Sequence, residues 1–234
     1  MEADHFWFRS RNRLLTWALS RYFPAALSLL EVGCGTGFVL SEISRFFPKL
    51  VLYGSDFFVE GIAFARERAP EVSFLQMDAM NIPFEDEFDV IGLFDVLEHV
   101  EEDETALVQI RRATKTGGGL VLTVPQHPWL WSPKDDHAFH KRRYRRKELV
   151  QKVVRSGFDV VRVTSFVSIL LPLMVVSRFK RRISRHHFDP MAEFQIGATA
   201  NYFFEKLLSI ERFLIQAGLS FPAGGSLLLI AKKR

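Results

Sequence analysis

Five short apolar runs punctuate the first half of the chain, at residues 29–32, 50–54, 72–76, 88–94 and 120–124, and four of them are followed within two residues by an acid or a glycine. The stretches between them carry helical spacing, most clearly 38–46, with Glu98 and His99 read as first-turn residues of the helix after the fourth run and Gly117-Gly118-Gly119 as the turn into the fifth. Alternation of short apolar strands with amphipathic helices predicts a parallel sheet with helices on both faces. Beyond it, 145–157 reads as a helix with Leu149, Val150, Val153 and Val154 as its apolar stripe and Gly157 as its stop. Residues 158–164 alternate well enough for a sixth strand, and 226–231 form a seventh apolar run before a basic tail. Residues 1–26 read as an N-terminal helical cap, 27–164 as the core, 165–222 as an insertion too long for a hairpin, and 223–234 as the final strand and tail.

The most informative stretch is 29–37, Leu-Leu-Glu-Val-Gly-Cys-Gly-Thr-Gly. A strand runs there into a turn of alternating glycines and then a helix. Glycine adopts positive φ freely and has no Cβ to keep a ligand away from the backbone. Strand, glycine turn and helix make a nucleotide site at the carboxyl end of a strand in open α/β sheets. A dinucleotide fingerprint would need glycines at 33, 35 and 38, but position 38 is Phe38. The chain has Gly33, Gly35 and Gly37 instead, preceded by Glu31.

Glu31, Gly33, Gly35 and Gly37 resemble motif I of the class I S-adenosylmethionine-dependent methyltransferases, and further matches follow in order. Asp56 ends the second run, where an acid is placed to hold ribose hydroxyls. Met77-Asp78-Ala79 follows the third run at the position that contacts adenine in that family. Asp95-Val96-Leu97-Glu98-His99 follows the fourth, where the family lines the methionine end and the substrate mouth. The resemblance implies a Rossmann-like seven-stranded, mostly parallel sheet, its last strand antiparallel and inserted between the fifth and sixth. It also implies S-adenosyl-L-methionine as cofactor. The expected cofactor residues are Glu31, Gly33, Cys34, Gly35, Gly37, Asp56, Phe57, Asp78, Ala79, Met80 and Asp95.

Candidates for a base or for acceptor orientation are His99, His140 and Tyr144. His127, Trp131, Arg142 and Arg143, from the loop after the fifth strand, are candidates for holding the acceptor. Planar guanidinium groups suit a phosphate or carboxylate. Residues 140–144 resemble an H-x-R-R-Y element of bacterial methyltransferases with lipid- or saccharide-related acceptors. The histidines and aspartates of this loop lack a helical metal-ligand register, so no metal is expected. The single cysteine, Cys34, excludes an internal disulfide.

Composition changes the picture in two places. The net charge of +4 comes from local clusters at 141–147 and 178–185, which fit either an anionic partner or solvated helix faces. Residues 165–177 carry no charge, but the run is too short for a bilayer span and contains Pro172. With the basic stretch behind it, 165–185 fits a peripheral membrane contact, a lid or wall of the acceptor pocket, or a dimer contact or core packing. Phe6-Trp7-Phe8, flanked by arginines, reads as a lid over the cofactor or as simple packing. Nothing near Met1 has the layout of a signal peptide, so a cytoplasmic location, with membrane association left open, is the expectation.

Methyl transfer to a small or lipid-like acceptor is therefore the leading reading, by a monomer or homodimer. An RNA or protein acceptor, and a non-catalytic scaffold that keeps the fold, stand as alternatives. No N-P-P-Y tetrapeptide or added RNA-binding module favours nucleic acid.

Overall fold

The structure, a computed structural model, describes residues 2–183 and 196–234. The part of the insertion from 184 to 195, including Arg185, lies outside the described residues. In chain order the elements are α1 (Phe6–Tyr22), β1 (Ser28–Val32), α2 (Phe38–Phe46), β2 (Val51–Asp56), α3 (Val59–Arg68), β3 (Ser73–Gln76), β4 (Phe88–Phe94), α4 (Asp103–Ala113) and β5 (Thr114–Pro125). They continue with α5 (Pro133–His137), α6 (Arg146–Arg155), β6 (Phe158–Phe166), α7 (Leu171–Ile183), α8 (Ala198–Gln216) and β7 (Ser226–Lys233).

The seven strands form one sheet in the order β3-β2-β1-β4-β5-β7-β6. The first five strands pair in parallel, and β7 runs antiparallel between β5 and β6. This is the expected Rossmann-like arrangement. Side chains of a strand alternate between faces, and the core divides accordingly. Leu30, Leu227 and Leu229 join the layer under α4 and α6, while Leu29, Leu228 and Ile230 join the layer under α1, α2 and α8. Both faces being covered explains why the strands read as continuous apolar runs rather than alternating ones.

Three boundaries differ from the sequence reading. Gly117, Gly118 and Gly119 do not turn into β5 but lie within it, in an irregular stretch where Phe88 pairs with Thr114 and Val90 with Gly119. Glu98 and His99 lie in the turn before α4, not in its first helical turn. The insertion also begins later than 165, because Ser165 and Phe166 are the last residues of β6. Phe166, Val167 and Leu170 are buried in the core, so they are not available to a lipid surface. The exposed part of that apolar run is on α7, at Leu173 and Val176.

The N-terminal segment packs against α8 and against the glycine loop. Phe6 packs on Phe204 of α8 with ring centroids 5.3 Å apart, and its N–H donates to Asn201 Oδ1 at 2.8 Å. Arg9 and Arg13 both reach Glu205 of α8. Ahead of α1, Glu2 accepts from Thr36 Oγ1 (2.9 Å) and pairs with Arg68 (2.7 Å), which lays the segment over the glycine loop.

α8 is tied back to the sheet by Glu211, which is 2% exposed and accepts the N–H groups of Ser168 (2.7 Å) and Ile169 (2.8 Å). Removing a buried acceptor strands its donors at a cost of about 1–3 kcal/mol. Glu211→Ala should lower urea-unfolding stability by about that amount. Glu211→Gln, which keeps a carbonyl acceptor, should lose less; equal losses would show that the two hydrogen bonds are not the cause.

Candidate active site

The parallel register puts the carboxyl ends of β1 to β4 at one rim of the sheet. The glycine loop begins there, with the N–H groups of Gly33 and Cys34 both donating to Ser55 O, at 2.7 and 2.8 Å. Gly33, Gly35 and Gly37 all have positive φ (75°, 51° and 71°). Their needs differ. A Cβ on Gly33 would lie 2.4 Å from Val96 Cγ2, whereas one on Gly35 would meet nothing within 4 Å. Gly33 is therefore a close-packing position, and Gly35 opens onto the cleft.

Asp56, at the end of β2, accepts the Gly35 N–H at 2.8 Å and the Phe58 N–H at 2.9 Å. Asp78, after β3, accepts the Met80 N–H at 2.8 Å. Met77 and Ala79 are buried, while Phe57 and Met80 are exposed beside them. Asp95, after β4, adopts a φ of 61° and its Oδ2 takes a 2.7 Å ion pair from Arg11 of α1. Arg11 lies over Trp7, 4.7 Å from the ring centroid, and is 8% exposed. The sequence marked Arg11 only as one of the basic flanks of Phe6-Trp7-Phe8, not as the partner of Asp95.

Glu31 is 2% exposed, and its Oε2 finds no hydrogen-bond partner among the described residues. Burial pushes its carboxyl up to about 8, with Asp56 adding to the effect and Arg11 opposing it. Cys34 is likewise pushed well above the ordinary thiol range by burial and by the charges of Glu31 and Asp56. It is a small packed residue, not a nucleophile.

On the other side of the rim the β4–α4 turn meets the segment after α5. Lys141 N–H donates to Glu98 O at 2.7 Å, which brings His140 beside Glu98 and His99. The His99 and His140 rings meet edge to face, centroids 4.8 Å apart. His140 Nδ1 is 2.9 Å from Asp135 Oδ1. Burial and His140 push the His99 pKa below its usual value, against the pull of Asp95. Burial, with Asp95 nearby, pushes Glu98 well above the carboxylate range. His127 has a φ of 64° and stacks on Trp129, 5.0 Å between centroids. Trp131 Nε1 donates to Asp136 at 3.0 Å.

Three expectations for this loop are corrected. Tyr144 is fully buried and its hydroxyl donates to Asp103 Oδ2 at 2.8 Å, so it is a core anchor rather than a catalytic group. Burial and the Asp103 carboxylate push its phenol far above its usual range. Arg143 is 7% exposed and spent on Asp135 (2.7 Å) and Gln126 O (3.1 Å). Arg142 is likewise engaged, with Asp103 at 3.0 Å and Glu101 O at 2.7 Å. The two arginines pin the loop to the body of the fold instead of offering free donors to an acceptor. Sequence alone could not show this, because Asp103 lies on a helix distant in the chain.

Residues 30–122 match the family described as a methyltransferase domain. The chain is 38% identical over 83 residues to a malonyl-[acyl-carrier protein] O-methyltransferase from Bacillus cereus, covering 34% of this chain and 31% of that one. It is 33% identical over 101 residues to a demethylmenaquinone methyltransferase from Renibacterium salmoninarum, covering 43% and 42%. The chain thus spans less than half the length of these relatives. Among solved structures it resembles the [4+2]-cyclase SpnF, with a TM-score of 0.65 at 21% identity over 97% of this chain and 83% of that one. It also resembles phosphoethanolamine N-methyltransferase 2 of Haemonchus contortus bound to S-adenosyl-L-methionine, with a TM-score of 0.64 at 19% identity over 95% and 52%. Residues 30–122, under half of the chain, are thus similar to S-adenosylmethionine-dependent methyltransferases.

The two glycines should separate in mutagenesis. Gly33→Ala adds a clash to a left-handed backbone and should cost about 1–3 kcal/mol of stability. Gly35→Ala carries only the backbone penalty of about 1–2 kcal/mol, yet should weaken S-adenosylhomocysteine binding at least tenfold in calorimetry. Unchanged affinity would remove Gly35 from the cofactor site.

Glu31 gives a pH signature. Below pH 4.5, its ordinary value, the carboxyl is protonated in both folded and unfolded chains. As pH rises towards about 8, the unfolded chain releases this proton and the folded one keeps it, so stability falls. Above that the loss is complete. Glu31→Gln should be stabilised relative to the parent in the unliganded protein, by an amount that grows between those pH values in thermal melts. A pH-independent difference would overturn the assignment.

Proposed function

We propose that this protein transfers the methyl group of S-adenosyl-L-methionine to a small or lipid-like acceptor that enters beside Glu98, His99 and His140. Gly35 carries the reading: it is the one loop glycine whose missing Cβ leaves open space, and its N–H is already aligned on Asp56. In this reading Gly33, Cys34, Gly35 and Gly37 present backbone to the cofactor, and Asp56 takes the ribose hydroxyls. Asp78, Ala79 and Met80 meet the adenine with Phe57 alongside, and Glu31 and Asp95 face the methionine end. A cationic ammonium near Glu31 would draw off the proton that burial retains.

The sulfonium methyl is already activated. The acceptor's lone pair forms the new bond to carbon as the carbon–sulfur bond breaks and its electron pair returns to sulfur. The protein's contribution is proximity and alignment, which can supply several kcal/mol. His99 and His140 stand where they can orient the acceptor, and His127 and Trp131 can wall it. The relatives named above act on a malonyl group held by a carrier protein and on a demethylated quinone, which supports an acceptor in the small or lipid-like range.

An RNA acceptor draws less support, because Arg142 and Arg143 of the basic cluster at 141–147 are committed to Asp103 and Asp135. No described helix is long and apolar enough to cross a membrane. We place a peripheral lipid contact, the finer reading of 165–185, on α7, where Leu173 and Val176 are exposed.

Ligand bound only to the native state raises Tm by linkage. S-adenosylhomocysteine should raise Tm in the parent and much less in Asp56→Asn. Incubation of methyl-labelled cofactor with quinone, fatty-acyl and carboxylate acceptors, read by mass spectrometry, should label one of these classes. Absence of any Tm shift in folded protein would refute the cofactor assignment. Label found only on RNA or protein would refute the acceptor class.

A further inference from the structure

Glu98 presents a buried carboxyl group with an unpaired oxygen. It is 1% exposed, yet its Oε2 has no hydrogen-bond partner among the described residues. Its Oε1 lies 3.9 Å from His140 Nε2, beyond hydrogen-bonding distance. The two nearby arginines are occupied elsewhere, Arg11 on Asp95 and Arg143 on Asp135. A buried carboxyl oxygen left without a partner is costly, so its retention points to a partner that binds there.

The neighbours define that partner. One ligand-type atom from each of Glu98, His99 and His140 lies within 4.8 Å of the others. Donor atoms about 2.1 Å from a common ion stand roughly 3.3–4.2 Å apart, so small side-chain rotations would close this set. The His140 ring is oriented from behind. His140 Nδ1 is held by Asp135, which is itself fixed by Arg143 and by the Ser132 N–H at 2.8 Å. A metal-binding imidazole is oriented in this way, by a carboxylate on the far nitrogen.

We propose that Glu98, His99 and His140 form a binding site for one divalent transition-metal ion such as Zn2+. Two imidazole nitrogens and a carboxylate suit zinc and its neighbours rather than magnesium, which prefers oxygen ligands. Three protein ligands leave coordination positions open, and the exposure of His99 puts them on the accessible side. The acceptor class that fits is one with a ligating oxygen, such as a hydroxyl or carboxylate; this part rests on the methyl-transfer reading above. The loop spacing pointed away from a metal because two of the ligands are neighbours after β4 and the third arrives from beyond α5.

The test is calorimetric titration of the full chain, stripped with chelator, with Zn2+ and separately with Mg2+. Parallel melts with S-adenosylhomocysteine report the cofactor site. One Zn2+ per chain is expected, with binding weakened at least about tenfold by Glu98→Gln or His140→Ala and abolished by the His99→Ala/His140→Ala pair. Co2+ in place of Zn2+ should give visible absorption that the same variants lose. Retention of the cofactor-induced Tm rise in the variants would show that they remain folded. No saturable Zn2+ uptake, uptake unaffected by the double variant, or tighter binding of Mg2+ would overturn the site. Zn2+ uptake without any response to S-adenosylhomocysteine would instead sink the methyl-transfer reading and leave the metal site standing.

Discussion

The carbonyl of Ser55 takes two N–H groups, from Gly33 and Cys34, and the geometry of the cleft descends from that pair of bonds. They fix where β1 stops and where the chain turns. Because Val32 is paired with Ser55 in the parallel register, the next residue of β2, Asp56, arrives beside Gly35. The same register logic sets Asp78 after β3 and Asp95 after β4 along one rim. A one-residue slip of β2 would send its alternating side chains to the opposite faces. Burial of Leu52 on one face and Ser55 in the interior resists such a slip.

The glycine loop and the strand-end acids were legible in the sequence because they are local. A strand, a glycine turn and an acid at the next strand end are separated by short intervals, and each carries its own backbone requirement. The other side of the rim was less legible because its partners come from distant segments. His140 reaches Glu98 only through the Lys141–Glu98 backbone bond, and Tyr144, Arg142 and Arg143 looked reactive because nothing local shows that Asp103 and Asp135 consume them. Gly117 to Gly119 misled for a related reason: glycines that permit an irregular strand pairing resemble glycines that make a turn. α7 was read only in part, since the core takes the start of its apolar approach and leaves the rest outside.

A fold of this kind does not by itself dictate the reaction. Among the structures the chain resembles are a [4+2]-cyclase and an N-methyltransferase, so the sheet order leaves chemistry open. What distinguishes one occupant of the fold from another is the group of side chains facing the reacting atoms. In the proposed reading that group is the β4–α4 turn packed against the segment after α5, with Asp135 as its organising centre: it accepts from Ser132, orients His140 and pairs with Arg143.

The ion pair between Arg11 and Asp95 links the first helix to the end of β4, and Trp7 stacks on that guanidinium. An indole so placed lies one residue away from the event that matters. A ligand that changes the field at Asp95 alters the position of a cation over an excited-state chromophore, so the chain has its own optical reporter of cleft occupancy, with no label attached.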